Sequence, residues 1–292
     1  MATTNIMTAK TPSRWINNID MQKLGQHFLK NTAALEAIAE ALEIKSGEVI
    51  IEIGPGHGEL TVFLARAAER SGGKVVCIEK DHSLIAPLTA LAEKEKLGLV
   101  TIIEGDVLKL LPDVVTAQLG RHSQYKIVGN IPYYITGKLL RVISDLESKP
   151  EQTVLLVQKE VAERICAAPP HMNRLAASVQ FWAEPTIHAF VPRKDFSPPP
   201  AVDSAVIILA GKENFLKNVP PVLPAHYYRA VRTIFAQPRK KLLNNLMEST
   251  ADGVKKEDVI VHLQKIGVDP GARPQNLGID QIVAIATAPI WG

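Results

Sequence analysis

The chain has 292 residues, 46% hydrophobic and 22% charged, a globular composition sufficient for one large domain and one small one. No apolar run approaches a membrane span, and the first twenty residues lack the apolar core of a secretory signal. Two cysteines, Cys77 and Cys166, are too few for a disulfide framework or a zinc site; no metal centre is expected, and both read as buried free thiols in a reducing cytoplasm. Residues 1–30 are expected to form a partly flexible arm.

Residues 47–53 (GEVIIEI) read as a buried strand. A tight glycine loop, Gly54-Pro55-Gly56-His57-Gly58, follows. Leu60, Phe63, Leu64 and Ala67 then recur at helical spacing over 59–70. A second strand is expected at 74–79, then a helix over 83–96 interrupted early by Pro87. Further strands are expected at 99–103, 125–128 and 153–157, helices at 158–167 and 174–183, and extended segments at 186–191 and 206–209. Residues 196–200 (FSPPP) read as a stiff connector. Strands alternating with helices predict an α/β fold with a mostly parallel sheet, a Rossmann-like domain over 31–212. Ligands of such sheets bind beyond the carboxyl ends of the strands. The glycine loop, Glu79, Asp106 and residues 129–136 all fall at such ends.

After Gly211 the pattern turns helical, at 225–236, 239–248, 255–266 and 279–288, which sets apart a domain over 213–292. The charge follows this division. Residues 1–212 hold 23 basic and 23 acidic side chains, and residues 213–292 hold 10 basic and 7 acidic. No acid lies between Glu213 and Glu248, a stretch that carries Lys217, Arg229, Arg232, Arg239, Lys240 and Lys241. An acid-free basic segment points to a phosphate-rich partner; the competing reading is a solvated helix face.

The glycine loop is not that of a nicotinamide enzyme. A GxGxxG fingerprint needs glycine at position 59, where this chain has Glu59. The ordered set is more informative: Glu52, then Gly54-x-Gly56-x-Gly58, Glu79 closing the second strand, and Gly105-Asp106 after the third. Glu79 can accept both hydroxyl protons of a ribose, and Asp106 the exocyclic amine of an adenine. No pyrophosphate contact is needed, which describes S-adenosylmethionine better than NAD. Singly, these glycines and acids would be packing turns and caps. The stretch 129–136 (GNIPYYIT) adds an amide, a proline and two aromatics where an exit turn needs fewer.

With these residues in hand, the chain resembles the KsgA (RsmA) family of small-subunit ribosomal RNA adenine dimethyltransferases from about Gln22 onward. The matching segments are KLGQHFL (23–29), EIGPGHGELT (52–61), IEKD (78–81), GDVL (105–108), GNIPYYIT (129–136), QKEVAERI (158–165), FSPPPAVDSAVI (196–207), FAQPRKKLLNNL (235–246) and RPQNL (273–277). The resemblance implies S-adenosylmethionine-dependent N6-dimethylation of two adjacent adenosines in the hairpin loop near the 3′ end of small-subunit rRNA. A cytoplasmic monomer acting on a pre-assembled small subunit is expected. The ligand-binding positions the resemblance implies are His27, Leu29, Gly54, Glu79, Asp106 and Asn130, with Gly56 in the same loop; the family usually has asparagine where this chain has His27.

Adenine N6 is a poor nucleophile because its lone pair is delocalised into the ring. Acceptors that hold its hydrogens out of the ring plane help it attack. Asn130 offers a side-chain carbonyl and Ile131 a backbone carbonyl. Pro132 stiffens the turn, Tyr133 can stack on the adenine, and by resemblance Phe196 covers the opposite face. Tyr134 reads as a packing aromatic. Gln158, Lys159 and Glu160 read equally well as structural or RNA-facing. The basic residues would hold the RNA backbone. Competing functions are a large-subunit rRNA dimethylase, a DNA adenine methylase and a non-catalytic RNA-binding assembly or transcription factor. FSPPPAVDSAV and RKKL argue against the DNA enzyme, and the intact Asn130-Ile131-Pro132-Tyr133 against lost catalysis.

Overall fold

The computed structural model of the protein describes residues 6–7, 25–118, 124–212, 222–248 and 254–287. Most of the expected arm, and Lys217, lie outside the described residues. The chain divides into two compact units. Unit 1 is Met1–Ala162 with Thr186–Gly211, and unit 2 is Glu163–Pro185 with Lys212–Gly292. The segment 163–185, read from sequence as part of the larger domain, therefore groups with the C-terminal helices.

The strands are β1 (Ile6–Met7), β2 (Phe28–Leu29), β3 (Val49–Ile53), β4 (Lys74–Glu79), β5 (Val100–Glu104), β6 (Tyr125–Asn130), β7 (Gln152–Gln158), β8 (Ala183–Val191), β9 (Phe196–Ser197) and β10 (Ser204–Gly211). Eight form one sheet in the order β1-β5-β4-β3-β6-β7-β10-β8, and β2 pairs with β9 separately. From β5 to β7 the pairing is parallel, and β10 runs antiparallel to β7. The chain passes outward from β3 through β4 to β5, then crosses back to lay β6 on the other side of β3. Loops leaving β3 and β6 therefore diverge, opening a crevice at their carboxyl ends, the usual ligand site of an open α/β sheet. All five residues of β3 are buried, as a parallel strand covered on both faces requires.

The helices of unit 1 are α1 (Thr32–Ala41), α2 (Glu59–Ser71), α3 (His82–Lys94), α4 (Val107–Gln118), α5 (Thr136–Asp145) and the start of α6 (Lys159–Ile165). Pro87 does not interrupt α3, which runs unbroken around it. A proline near the start of a helix removes one backbone bond without ending it. α4 likewise accommodates Pro112. Asn31 caps α1, its Oδ1 accepting from Ala34 N at 3.2 Å. β6 is anchored at its start by Lys126, whose buried ammonium donates to the carbonyls of Leu42 (2.7 Å) and Glu43 (2.9 Å) and pairs with Glu48 at 3.2 Å. A buried charge is tolerated only with this degree of pairing.

Unit 2 packs α7 (Arg174–Gln180), α8 (Pro224–Ile234), α9 (Leu242–Met247), α10 (Lys256–Lys265) and α11 (Ile279–Ala286) around its own apolar core. Phe181 stacks on Tyr227 with ring centroids 3.9 Å apart, and the Tyr227 hydroxyl donates to Ala177 O. Cys77 is buried and Cys166 only half-buried; both are free thiols. Among the described residues no helix is long and apolar enough to cross a membrane.

Candidate active site

Gly129 explains how the β6 turn reaches the β3 loop. A Cβ there would stand 2.7 Å from Ile53 O, so only glycine lets the two strand ends lie side by side. Asn130 is the last residue of β6 and is half-buried. Its Nδ2 donates to the carbonyl of His27 at 2.9 Å. That bond fixes the amide plane and leaves Oδ1 as the acceptor edge. Ile131 is 2% exposed, which locks the turn into the core, and it is one of the residues around the pocket. Tyr133–Ile135 form a short 3-10 turn leading into α5.

The Tyr133 ring is held from two sides. Its hydroxyl lies 2.6 Å from Ser204 Oγ, and its face lies against the His27 ring with centroids 5.9 Å apart at 29°. Burial raises its phenol above the ordinary range, so it stays neutral. Tyr134 is not the packing aromatic read from sequence: it is 58% exposed at the pocket mouth.

The arm is tied to the segment 195–198. β2 pairs antiparallel with β9, Lys30 N donates to Asp195 O at 2.7 Å, Asn31 Nδ2 to Asp195 Oδ2 at 2.7 Å, and His27 Nδ1 to Pro198 O at 2.8 Å. The His27 ring thus supports the wall, and its carbonyl orients Asn130. FSPPP is accordingly not only a connector, since Phe196–Ser197 is a strand. This pairing corrects the expectation for Phe196. It sits opposite Leu29, is 3% exposed within the core and does not line the pocket. Its burial secures β9 against β2.

The remaining expected catalytic and cofactor-binding residues converge on one pocket, lined by His27, Leu29, Gly54, Gly56, Glu79, Asp106 and Asn130 through Tyr133. Glu79, 4% exposed, accepts from Gly56 N (3.1 Å) through Oε2 and from Asp81 N (2.7 Å) through Oε1. Burial raises its carboxyl above the ordinary range against these backbone bonds. Each oxygen keeps a second lone pair, so a preset carboxylate can still accept a diol. Asp106 Oδ1 accepts from Leu108 N at 3.0 Å and Oδ2 from Lys80 Nζ at 3.1 Å. Partial burial would raise Asp106, but these donors win and hold it below the usual range. Lys80 is a lining residue that sequence reasoning missed, although its place between Glu79 and Asp81 was a signal. Glu52 is another. It lines the pocket at 1% exposure and is pushed up to about 7 by burial, despite donors from Thr61 (2.7 Å) and Cys77 (3.3 Å).

Among the described residues no group of three or more His, Cys, Asp or Glu side chains is arranged to hold a metal ion. The pocket is acid-lined and suits a cationic ligand. A Cβ at Gly54, where φ is +64°, would project into the gap 3.8 Å from Asn130 O, where the two loops face each other. These features fit S-adenosyl-L-methionine: Glu79 for the ribose, Asp106 for the adenine, and Gly54 and Gly56 beside the chain.

A sheet of this order with an acid-lined pocket at the β3/β6 crevice defines a class I, Rossmann-like methyltransferase using S-adenosyl-L-methionine. The family model for ribosomal RNA adenine dimethylase matches residues 17–288, so the chain belongs to that family. Ribosomal RNA small subunit methyltransferase A of Dehalococcoides mccartyi is 38% identical over 259 residues, covering 88% of this chain and 84% of that protein. The protein of the same description from Pelotomaculum thermopropionicum is 37% identical over 91% of this chain and 90% of its own length. A dimethyladenosine transferase from Plasmodium falciparum superposes with a TM-score of 0.73 at 26% identity, covering 89% of this chain and 96% of its own. The 23S rRNA methyltransferase ErmE shares the fold, with a TM-score of 0.66 at 23% identity over 89% of this chain and 98% of its own.

Proposed function

We propose that the protein dimethylates N6 of two adjacent adenosines in the 3′-terminal hairpin loop of small-subunit rRNA. The reading rests on one observation above all: the β6 turn, with its oriented Asn130 amide, opens into the same pocket as Glu79, Asp106 and the glycine loop. Identities of 37–38% to small-subunit methyltransferases over most of the chain support the substrate.

When bound, S-adenosyl-L-methionine supplies an electrophilic methyl on its sulfonium. The protein's residues do the positioning. Asn130 Oδ1 and the Ile131 carbonyl accept the two N6 hydrogens and turn the nitrogen lone pair toward the methyl. Pro132 restricts Ile131 to an extended conformation, and Tyr133 carries the base. No strong base is needed, because the alkylated nitrogen loses its proton readily. Catalysis is then orientation and electrostatics. A loop adenosine leaves its stack at less cost than a paired one.

In unit 2, Arg232, Arg239, Lys240 and Lys241 are exposed and Arg229 is half-buried. Lys240 pairs with Glu248 at 3.3 Å. We assign these residues to the RNA backbone. Replacing Arg239, Lys240 and Lys241 together with glutamine should weaken RNA binding and lower the salt slope by about two to three. An unchanged slope would give the segment another role. The protein is proposed to act as a cytoplasmic monomer on a pre-assembled small subunit.

The reaction is tested by incubation with labelled S-adenosyl-L-methionine and unmethylated small subunits, large-subunit rRNA or duplex DNA, followed by nucleoside identification. N6-dimethyladenosine is expected from the small subunits alone. Its appearance only in large-subunit RNA, or in no sample, sinks the reading.

A further inference from the structure

The edge strand β8 carries an aromatic ring into solvent near its end. Phe190 is 57% exposed, although Val191 beside it is buried. One exposed phenylalanine is ordinary; the surroundings of this one are not. The Lys159 ammonium lies over the ring, 5.1 Å from its centroid. Asp203 gathers the segments on either side: its carbonyl accepts from Lys159 N at 3.0 Å, and its Oδ1 from Arg193 N at 2.9 Å. Lys159, Arg193 and Lys194 are all exposed. Three acids lie in the same segments: Asp195 accepts from the Asn31 amide, Asp203 accepts from the Arg193 backbone N–H, and Glu160 is exposed.

This cluster is linked to the pocket. Ser204, the residue after Asp203, holds the Tyr133 hydroxyl at 2.6 Å. β9 begins two residues after Lys194 and pairs with β2, at the pocket wall. The backbone that presents Phe190 and its cations is therefore continuous with the supports of the base-carrying tyrosine.

We propose that Phe190 with Lys159, Arg193 and Lys194 forms a second RNA-contacting platform. A single-stranded nucleotide flanking the acceptor adenosine stacks on Phe190, and the adjoining phosphates lie on the three cations. The inference rests on the RNA reading above and deepens it. Aromatic stacking accepts any base, and lysine or arginine beside it takes the backbone, the usual make-up of a single-strand site. A protein strand adding to the open edge of β8 would use its backbone groups and would not need the ring or the cations.

A photoreactive p-benzoylphenylalanine at position 190 tests the contact directly. Irradiation with unmethylated small subunits should yield an adduct to small-subunit rRNA. An adduct only to ribosomal protein, or no adduct, overturns the platform, and this is read independently of turnover. Phe190→Ala should raise KM for small subunits about tenfold with the Kd for S-adenosyl-L-methionine unchanged, and Phe190→Trp should restore it. Arg193→Gln with Lys194→Gln should lower the salt slope of RNA binding by about two. An unchanged KM in Phe190→Ala refutes the inference. Failure of the unaltered protein to form N6-dimethyladenosine would instead count against the reading of the reaction.

Discussion

Asn130→Ala is expected to lower kcat for methyl transfer by about 10²–10³-fold while leaving affinity for small subunits nearly unchanged. The alanine removes the side-chain acceptor and leaves the Ile131 carbonyl alone to orient N6. It also removes the Nδ2 bond to the His27 carbonyl, so the arm loses a tie to the pocket. Part of the effect should therefore appear as weaker cofactor binding. Asn130→Asp separates the two effects. It keeps the shape and an acceptor but has no donor for His27 O, so two oxygens would face each other at a site built for 2.9 Å. This variant should lose cofactor affinity more than alanine does. Single-turnover kinetics with labelled cofactor read the chemical step, and filter binding reads the RNA. Unchanged turnover in Asn130→Ala would refute the assigned role.

The parts of this site that were readable in the sequence are those whose signal is local. A glycine loop after a strand, an acid at the end of the next and Asn-x-Pro-Tyr at a third announce strand ends, and the topology then brings strand ends together. The supports could not be read in this way. Asn130 is oriented by a carbonyl 103 residues away, Tyr133 is held by a hydroxyl 71 residues away, and His27 reaches a carbonyl at a separation of 171. Such pairs carry no spacing pattern along the chain. Phe196 shows the opposite failure. An aromatic beside prolines in a motif suggested a stacking wall, but the β2–β9 pairing turns its ring into the core beside Leu29. Tyr134 was misjudged for a similar reason: which of two adjacent tyrosines faces water depends on the 3-10 turn at Tyr133–Ile135. Helices α1, α4 and α5 escaped the sequence reading, α4 with a proline inside it.

The second large effect concerns Glu52. Its ordinary value of 4.5 is pushed up to about 7, burial being the dominant cause and the Thr61 and Cys77 hydrogen bonds opposing it. Cys77 is itself raised by burial and by the facing carboxylate, so it remains a thiol donor. A folded-state value above the unfolded one means that the folded protein holds the proton more tightly. The stabilisation is complete below the unfolded value and is lost as pH rises through about 7. A shift of that size corresponds to about 3 kcal/mol between the ends of the window. Glu52→Gln has no proton to lose and keeps a carbonyl for Thr61. Its stability should therefore change far less with pH, and above neutrality it should exceed that of the unaltered protein. With about 2–4 °C per kcal/mol for a chain of this size, the gap in Tm should approach 6–12 °C at alkaline pH and narrow steadily on acidification. Thermal unfolding of both proteins across pH 5.5–8.5, without cofactor, measures it. Parallel Tm curves would show that Glu52 does not titrate in this window. Glu79 is raised in the same direction, so some slope should survive in the variant. A cationic cofactor in the pocket that Glu52 lines favours its carboxylate, so S-adenosyl-L-methionine should raise Tm more in the unaltered protein than in Glu52→Gln near pH 8.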